Sequence, residues 1–451
     1  MRSLRGSRVE PKKRKLAEAK PAGIARTVAT IQACRFRALL GLNSALKLLE
    51  ALLARFGVRP PRVLLHSLGA RGLVARLMPS ALRLVARGRR LILVSGTNGK
   101  TTTTALLAAA LGGAVATNPD SRNLFQGLLD ALLHSQAPLA VLEVDELWLP
   151  EVLRWLEPEL LVLLNLLEDG WSRTPSPSYV IERWAKLKLP AATQILAWAE
   201  DPALVRLFQN QPVHWIAQQQ QQQHDEGPCS QEACPACGGV LRRSSWNWSC
   251  RCGLRHPVER LGAEGLWRLS PSGHDLLPPL GQGPPLRLEH GLEGSIHRRN
   301  QAFALVAAQL LDQPPGLVQQ RLAAITTIPA RDASYRLAGR EVRLLMAKNP
   351  AAWIANLDRI AGDGPVMLVL QQTARTLDLS WLYDIPHGVL SGRQLGVCGA
   401  HALDLVVWLT YAGLEVEIAA HPRDLVPRMP PGDLLCVCDL FGADLIASSA
   451  D

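Results

Sequence analysis

The sequence predicts an α/β protein built around a parallel sheet, and three observations support this fold class. Residues 91–94, 139–144 and 160–164 are short apolar runs with the length of buried strands, and polar residues follow each of them. Helical patterns alternate with these runs, as they do where crossover helices join parallel strands. Hydrophobic residues make up 48% of the 451-residue chain, which is enough to bury large cores and excludes global disorder.

The first strand leads into a glycine-rich loop that is followed by a helix, predicted over residues 101–111. The candidate phosphate-binding residues are Gly96, Thr97, Asn98, Gly99, Lys100, Thr101 and Thr102. The glycines let the backbone turn tightly so that its N–H groups can face a polyphosphate, and the helix N-terminus favours an anion. Lys100 is placed to neutralise the β and γ phosphates of ATP, and the Thr101 hydroxyl to bind Mg²⁺.

The loop departs from the general phosphate-binding pattern at one position. That pattern has a glycine six residues before the lysine, and Val94 stands there instead. The shorter form Gly-Thr-Asn-Gly-Lys-Thr resembles the loop of Mur ligases and folylpolyglutamate synthetases. Because a strand precedes it and a helix follows it, the sequence indicates a nucleotide site rather than a surface turn.

Acidic residues stand at the end of the second predicted strand. Glu143, Asp145 and Glu146 come where that strand ends, and the carboxyl ends of parallel strands are where such sheets hold their ligands. Carboxylates at this edge can hold Mg²⁺ beside the phosphates of a nucleotide, and Glu143 is the predicted ligand. Asn165 and Asp169 follow the third strand and are expected to line the same crevice.

Four of the nine cysteines have the spacing of a zinc ribbon. The predicted ligands are Cys234, Cys237, Cys250 and Cys252. Four thiolates give a closed, structural zinc site without the open position that a catalytic zinc needs. The second pair is Cys-x-Cys rather than Cys-x-x-Cys, so Cys229 or His256 could replace one ligand, and a cluster without metal stays an alternative. The ribbon is predicted as an insertion at about residues 228–258.

The chain is expected to divide into three parts. Residues 1–26 are predicted as a disordered basic tail, residues 27–328 as an ATP-binding domain with an amphipathic helix at 28–57, and residues 329–451 as a smaller α/β domain. The formal net charge is +10, but residues 1–20 supply +6 of it, so nucleic-acid binding is not indicated. No uninterrupted apolar stretch has the length of a membrane span, which predicts a cytoplasmic protein.

These motifs together resemble the MurT family, the synthetase subunits of bacterial lipid II isoglutaminyl synthase, which are relatives of the Mur ligases. The resemblance covers roughly residues 30–430 and includes the phosphate loop, the Glu-Val-Asp-Glu segment, the pattern over residues 165–173 and the cysteine cluster. Its most specific matches are Lys348-Asn349-Pro350, Asp378-Leu379-Ser380-Trp381-Leu382-Tyr383-Asp384 and Tyr411-Ala412-Gly413, which ordinary Mur peptide ligases lack. The resemblance implies a Mur-ligase-type central ATPase domain with a zinc-ribbon insertion and a smaller Rossmann-like C-terminal domain.

The resemblance also implies an activity, which is ATP-dependent amidation of the α-carboxylate of D-glutamate in the lipid II stem peptide through an acyl phosphate. A partner glutaminase similar to GatD would supply the ammonia, at the inner membrane face where lipid II resides. Lys100 and Thr101 would hold phosphate and Mg²⁺, with Glu143 as the metal carboxylate. Asn300 resembles the asparagine that meets the nucleotide, and Asp404 resembles the aspartate that completes the Cys-His pair of the glutaminase. Lys100, Glu143 and Asp404 are therefore the predicted catalytic residues.

Several positions differ from the family pattern and affect the substrate contacts and partner geometry more than the ATP site. Ser121-Arg122-Asn123 stands in place of Gly-Ala-Asn, Glu168 and Ser172 replace an Arg and an Asp, and His401 replaces an Arg. The Thr-Tyr-Thr-containing end of the family is not found in residues 433–451. Two other functions stay open: an ATP-dependent peptide ligase of the Mur or folylpolyglutamate type without a glutaminase, and a nucleotide-binding scaffold without turnover.

Overall fold

The computed structural model describes residues 79–118, 122–167, 177–218, 233–243, 247–288, 292, 294–328, 331–357, 359, 364–371 and 379–451. The chain separates into two compact units, residues 1–85 and residues 86–451. Residues 79–85 of the first unit are described, and they include most of helix α1, Ala81–Ala86. The predicted basic tail and the helix predicted at 28–57 lie outside the described residues.

A nine-stranded sheet forms the larger layer of the second unit. Its strands are β1 Arg90–Ser95, β2 Val115–Ala116, β3 Leu139–Val144, β4 Leu160–Leu163, β5 Gln194–Trp198, β6 His214–Gln218, β9 Trp267–Leu269, β10 Asp275–Leu277 and β11 Leu286–Arg287. Their spatial order is β11-β10-β9-β6-β5-β4-β1-β3-β2. The seven strands from β9 to β2 in this order are parallel, and β10 and β11 pair antiparallel at one edge.

The three strands that the sequence predicts lie together at the centre of this sheet. β1 lies between β3 and β4, and Ile92 is in register with Val141 on one side and Leu160 on the other. Nearly every residue of these strands is buried, as expected for parallel strands that are covered on both faces. Their carboxyl ends therefore bring the phosphate loop, the acidic segment and Asn165 to one edge of the sheet.

The described helices beside the larger sheet connect its strands, except the last two, which follow its final strand, β11. They are α2 Lys100–Leu111, α3 Phe125–His134, α4 Leu149–Val152, α5 Pro177–Trp184, α6 Pro202–Phe208, α7 Val258–Leu261, α8 Ser295–Leu310 and α9 Pro315–Ala323. Helix α8 is mostly apolar on its buried side and packs against α2, the helix that follows the phosphate loop. This packing brings the N-terminal turns of α8 next to the loop. None of the described helices is long and apolar enough to cross a membrane.

A six-stranded sheet forms the smaller layer. Its strands are β12 Asp332–Leu337, β13 Arg340–Met346, β14 Val366–Val369, β15 Leu395–Cys398, β16 Val416–Ile418 and β17 Leu434–Cys438, in the order β12-β13-β17-β14-β15-β16. β12 and β13 form an antiparallel hairpin, and the other pairs are parallel. The helices of this layer are α10 Pro350–Leu357, α11 Ala402–Tyr411, α12 Pro422–Leu425 and α13 Leu440–Ser448.

The two sheets confirm the predicted fold class. All strands of the larger sheet precede residue 288 and all strands of the smaller one follow residue 331, although both sheets belong to one compact unit. The division into two domains at residues 328 and 329 stays a prediction.

Strands β7 Arg242–Arg243 and β8 Trp248–Ser249 form a separate antiparallel pair, which carries the cysteine cluster between β6 and β9.

Candidate functional site

The loop between β1 and α2 turns tightly at two glycines. Gly96 and Gly99 have φ values of 138° and 88°, which L side chains rarely adopt. A Cβ on Gly96 would lie 2.8 Å from the backbone oxygen of Asn165, and one on Gly99 would lie 2.7 Å from Oδ1 of Asn300. Both glycines are therefore required for the loop to lie against the end of β4 and against helix α8.

Asn165 supports the loop from behind. Its backbone oxygen accepts a hydrogen bond from the N–H of Thr97 at 2.8 Å. Its side chain pairs with the backbone of Asn98, accepting from the N–H at 2.9 Å and donating to the carbonyl oxygen at 3.0 Å. The structure thus gives Asn165 a supporting role that spacing alone did not predict. Asp169, expected in the same crevice, lies outside the described residues.

The ammonium group of Lys100 is buried beneath the loop. Its Nζ donates to the carbonyl oxygens of Gly96 and Thr97 and lies 2.9 Å from Oε2 of Glu146. Burial lowers the pKa of Lys100, but the negative charges of Glu146 and Glu143 outweigh this effect and leave the pKa raised. Burial likewise raises the pKa of Glu146, and the charge of Lys100 outweighs it and lowers that pKa. Both groups are ionised at neutral pH, so Lys100 offers a fixed positive charge.

Glu143 and Thr101 meet at the N-terminus of α2. The Thr101 hydroxyl donates to Oε2 of Glu143 at 2.7 Å, and the side-chain amide of Asn123 donates to Oε1 at 3.0 Å. Glu143 is buried at the end of β3. A hydroxyl and a carboxylate beside a phosphate loop are the oxygen ligands that Mg²⁺ takes. The donor set fits the predicted metal, and Thr101 and Glu143 stay its predicted ligands.

Residues of the smaller sheet complete the site from the other side. The side-chain amides of Asn98 and Asn349 form a reciprocal pair in which both N–H···O distances are 3.0 Å. Asn349 is fully buried, so this pair joins the phosphate loop to the Lys-Asn-Pro segment at the start of α10. Arg331 donates to Oγ1 of Thr101 at 3.1 Å, and Lys348 lines the same space.

A cavity of about 250 Å³ lies between these groups. Its lining includes the predicted phosphate-binding residues 97–102 together with Glu143, Glu146 and Asn300. Asn300 is buried on α8 beside Gly99, which is a suitable position for the predicted contact with a nucleotide. The structure therefore brings the predicted ATP and Mg²⁺ residues other than Gly96 into the lining of one cavity, which includes neither Asp404 nor the cysteine cluster.

Sequence reasoning missed Arg331, which no motif marks. Burial lowers the pKa of Arg331, against the effect of the nearby Glu143 charge. The next residue, Asp332, forms an ion pair with Arg359, and its Oδ2 lies 3.5 Å from Nε2 of His297. These contacts tie the start of α8 to the smaller sheet beside Arg331, which lines the cavity. The only sign of Arg331 in the sequence is that it forms, with Asp332, a pair of charged residues at the start of a strand.

The four predicted zinc ligands lie together. The Sγ atoms of Cys234, Cys237, Cys250 and Cys252 are all within 4.8 Å of one another. The backbone N–H of Cys252 lowers the pKa of Cys250 to about 7, whereas burial raises the pKa of Cys234 to about 12. Four sulfurs at these separations fit a tetrahedral zinc site. His256 is not part of the cluster because its Nε2 lies 3.1 Å from Oε1 of Glu200, and Cys229 lies outside the described residues.

Asp404 lies on the first turn of α11 and faces solvent. Its side chain is 54% exposed, and its Oδ2 is 3.0 Å from Nδ1 of His401. The same helix exposes an apolar surface beside Asp404, here called the α11 face, which consists of Leu403, Val407, Tyr411 and the neighbouring Tyr383. Asp404 is therefore accessible to another molecule but belongs to a different surface from the cavity.

Curated relatives of known activity match most of the chain. The MurT subunit of lipid II isoglutaminyl synthase (glutamine-hydrolyzing) from Staphylococcus aureus is 24% identical over 358 residues, which are 74% of this chain and 80% of that protein. The corresponding MurT subunit from Streptococcus pneumoniae is 26% identical over 333 residues, which are 67% of this chain and 72% of that protein. No family model matches the sequence.

Solved structures of Mur ligases share the fold. A pseudomurein peptide ligase type C from Methanothermus fervidus superposes with a TM-score of 0.61 at 17% identity, over 80% of this chain and 79% of that one. The MurF ligase from Thermotoga maritima in complex with ADP gives a TM-score of 0.57 at 16% identity, over 84% and 83%. The matches agree with the motifs in the phosphate loop and the C-terminal part. The chain is similar to the MurT subunits over most of its length and has the Mur ligase fold.

Proposed function

We propose that the chain is the ATP-dependent synthetase subunit of a lipid II isoglutaminyl synthase, which converts the α-carboxylate of D-glutamate in the stem peptide to an amide. The names of the relatives support a carbon–nitrogen ligase of cell-wall synthesis. The observation that carries this function is the cavity in which Lys100, Thr101 and Glu143 meet Arg331 and Lys348.

The reaction has two steps. A carboxylate oxygen of the acceptor attacks the γ-phosphorus of ATP, the bond to the bridging oxygen of the β-phosphate breaks, and ADP leaves. Ammonia then attacks the acyl carbon, the carbon–oxygen bond to the phosphate breaks, and the surplus proton passes to solvent as phosphate departs. The phosphoryl group is needed because a carboxylate by itself is a poor electrophile.

The residues around the cavity position the reactants and neutralise charge. Lys100, Arg331 and Lys348 approach the phosphate loop from two sides and offer three positive groups. Mg²⁺ held by Thr101 and Glu143 would neutralise phosphate oxygens. The hydrogen bond from Arg331 to Thr101 links the smaller sheet to this pair. Phosphate bound between the two sheets would therefore favour their close approach, and their close approach would favour phosphate binding.

The α11 face is the proposed docking surface for a protein partner. Tyr411 is 82% exposed and Leu403 is 71% exposed, and such adjacent apolar side chains mark interaction sites. The relatives are named as subunits of a glutamine-hydrolyzing enzyme. We therefore place a GatD-like glutaminase on this face, where Asp404 would orient the Cys-His pair of the partner and ammonia would be released towards the synthetase. Lipid II would be reached at the inner membrane face.

Zinc is the proposed occupant of the cysteine cluster. We expect freshly purified protein to contain about one equivalent of zinc, because four clustered thiolates form a closed tetrahedral site. Metal analysis by mass spectrometry checks this. The Cys237→Ser variant should lose most of the metal, whereas Cys398→Ala, which changes a buried cysteine outside the cluster, should keep it. A zinc-free wild type, purified without chelator, would contradict the assignment.

Reconstitution tests the function and separates it from the two alternatives. The chain is purified with and without a glutaminase encoded beside it and is supplied with lipid II, ATP and either glutamine or ammonium. Amidation of the stem peptide with release of ADP supports the proposed reaction. A peptide ligase would instead add an amino acid to its acceptor without the glutaminase, and a scaffold would bind nucleotide without turnover. The absence of amidation at high ammonium would reject the proposed activity.

A further inference from the structure

The cysteine ribbon is docked against the end of a strand in the larger sheet. Trp248 is completely buried, and its Nε1 donates to the carbonyl oxygen of Ala199 at 3.1 Å. The imidazole of His256 is also completely buried. Its Nδ1 accepts from the N–H of Val258 at 3.1 Å, so the proton of a neutral ring lies on Nε2. That nitrogen faces Oε1 of Glu200 at 3.1 Å.

The turn that carries two of the cysteines holds both docking side chains. Cys250 and Cys252 lie between Trp248 and His256 in the sequence. The N–H of Cys250 donates to the carbonyl oxygen of Leu254 at 2.8 Å, and the N–H of His256 donates to that of Trp248 at 2.9 Å. A metal bound to the cluster would therefore fix the turn from which Trp248 and His256 reach the sheet.

Asp201, the residue after Glu200, continues these contacts to the phosphate loop. Its Oδ1 caps helix α6 by accepting two backbone N–H groups at 2.8 and 3.1 Å. Its Oδ2 accepts from the N–H of Leu166 at 2.6 Å. Leu166 directly follows Asn165, which holds the backbone of the loop. Burial raises the pKa of Asp201 to about 6, so above that pH its carboxylate is ionised and only accepts hydrogen bonds.

We propose that Asp201 is a positioning residue for the phosphate loop, and that the ribbon sets the position of Asp201 through His256 and Glu200. Two steps of this route are hydrogen bonds, one from His256 of the ribbon to Glu200 and one between Asp201 and the segment behind the loop. The backbone joins Glu200 to Asp201. This role rests on the proposed nucleotide site. Weakening the ribbon would loosen the loop although no phosphate-binding residue had changed.

The test measures binding of Mg·ADP by calorimetry and hydrogen exchange of the loop amides, both in the full-length protein above pH 7. Asp201→Asn leaves one acceptor oxygen for both the cap of α6 and Leu166, so one of these contacts is lost, and the dissociation constant should rise about tenfold. His256→Ala should raise it about fivefold, the range expected for coupled sites, and His256→Gln, which keeps a donor, should restore much of the affinity. Exchange at residues 96–99 should accelerate in both weakened variants.

A double variant and a stability control make the outcome decisive. Because the two residues act along one route, Asp201→Asn combined with His256→Ala should bind no more weakly than Asp201→Asn alone. Ile446→Ala creates a cavity in the smaller sheet and should lower the melting temperature without changing the dissociation constant. The role of Asp201 is overturned if the single variants bind as the wild type does, if their effects multiply, or if Ile446→Ala weakens binding equally.

Lys100→Ala separates failure of this role from failure of the nucleotide site. If Lys100→Ala binds Mg·ADP as the wild type does, the proposed site itself is wrong. If Lys100→Ala loses binding while Asp201→Asn and His256→Ala retain it, the site stands and only the positioning role is rejected. Should Asp201→Asn fail to fold, the pair His256→Ala and His256→Gln gives the answer, since neither changes the cap of α6.

Discussion

Replacement of Lys100 by alanine is expected to reduce ATP-dependent amidation by more than about a hundredfold. The ammonium of Lys100 is held by carbonyl oxygens of the loop and by Glu146, so that its charge is fixed at the cavity before phosphate arrives. A pre-positioned charge lowers the barrier to phosphoryl transfer because nothing has to reorganise during the reaction. Initial rates with lipid II, ATP and ammonium measure the loss without any dependence on the glutaminase.

The same substitution has a cost in stability that must be separated from the loss of activity. Lys100 and Glu146 are 6% and 5% exposed, and removing one partner of a buried ion pair costs about 3–5 kcal/mol because the other charge is left unpaired. The double variant Lys100→Met with Glu146→Gln removes both charges and keeps similar volumes. It should recover most of the melting temperature and none of the activity.

Lys188→Ala is the matched control, since Lys188 is an exposed lysine outside the lining of the cavity. It should retain wild-type rates and stability. Residual amidation near the wild-type level in a folded Lys100→Ala variant would reject the phosphate-loop assignment. An equal loss of rate in Lys188→Ala would show instead that the assay reports a general effect of surface charge.

The centre of the larger sheet could be predicted because its signal is local. A parallel strand covered on both faces is continuously apolar, and the runs that became β1, β3 and β4 are of this kind. β15 of the smaller sheet has no such signal, because Gly396 interrupts a strand of four residues. The structure explains the glycine: a Cβ there would lie 2.5 Å from Sδ of Met429. Its reason is a tertiary contact, which no sequence window contains.

In the candidate site, too, the residues with a local signal could be predicted and those that depend on tertiary contacts could not. The loop, Glu143 and Asn300 could be found from motifs and resemblance because their roles depend on neighbouring residues or on a matched pattern. The pairing of Asn98 with Asn349 joins positions 251 residues apart, so spacing could not reveal it. Arg331 and Asp201 were missed for a related reason. Each contacts a segment that is distant in sequence. Arg331 directly precedes a strand and Asp201 directly precedes a helix, and neither position has a motif that would mark it.

Asp404→Asn is expected to abolish amidation driven by glutamine and to leave amidation driven by ammonium unchanged. The carboxylate is exposed beside the α11 face, shares a hydrogen bond with His401, and is not in the lining of the cavity. If it orients the Cys-His pair of a docked glutaminase, its loss leaves the histidine in the wrong tautomer and should slow glutamine hydrolysis at least about a hundredfold. Ammonium bypasses that step, so the synthetase reaction proceeds.

The comparison of the two nitrogen sources is the decisive measurement, because a general defect would lower both rates. Asp424→Asn is the control, since Asp424 is an exposed aspartate on α12, the next helix along the chain, and should leave both rates as they are. Tyr411→Ser should weaken binding of the glutaminase and thereby reduce the glutamine-driven rate, with recovery at high partner concentration. Asp404→Asn should show no such recovery, because it removes the orienting group and not the docking surface.

Equal loss of both rates in Asp404→Asn would place this residue in the synthetase reaction, and retention of both would remove it from the mechanism.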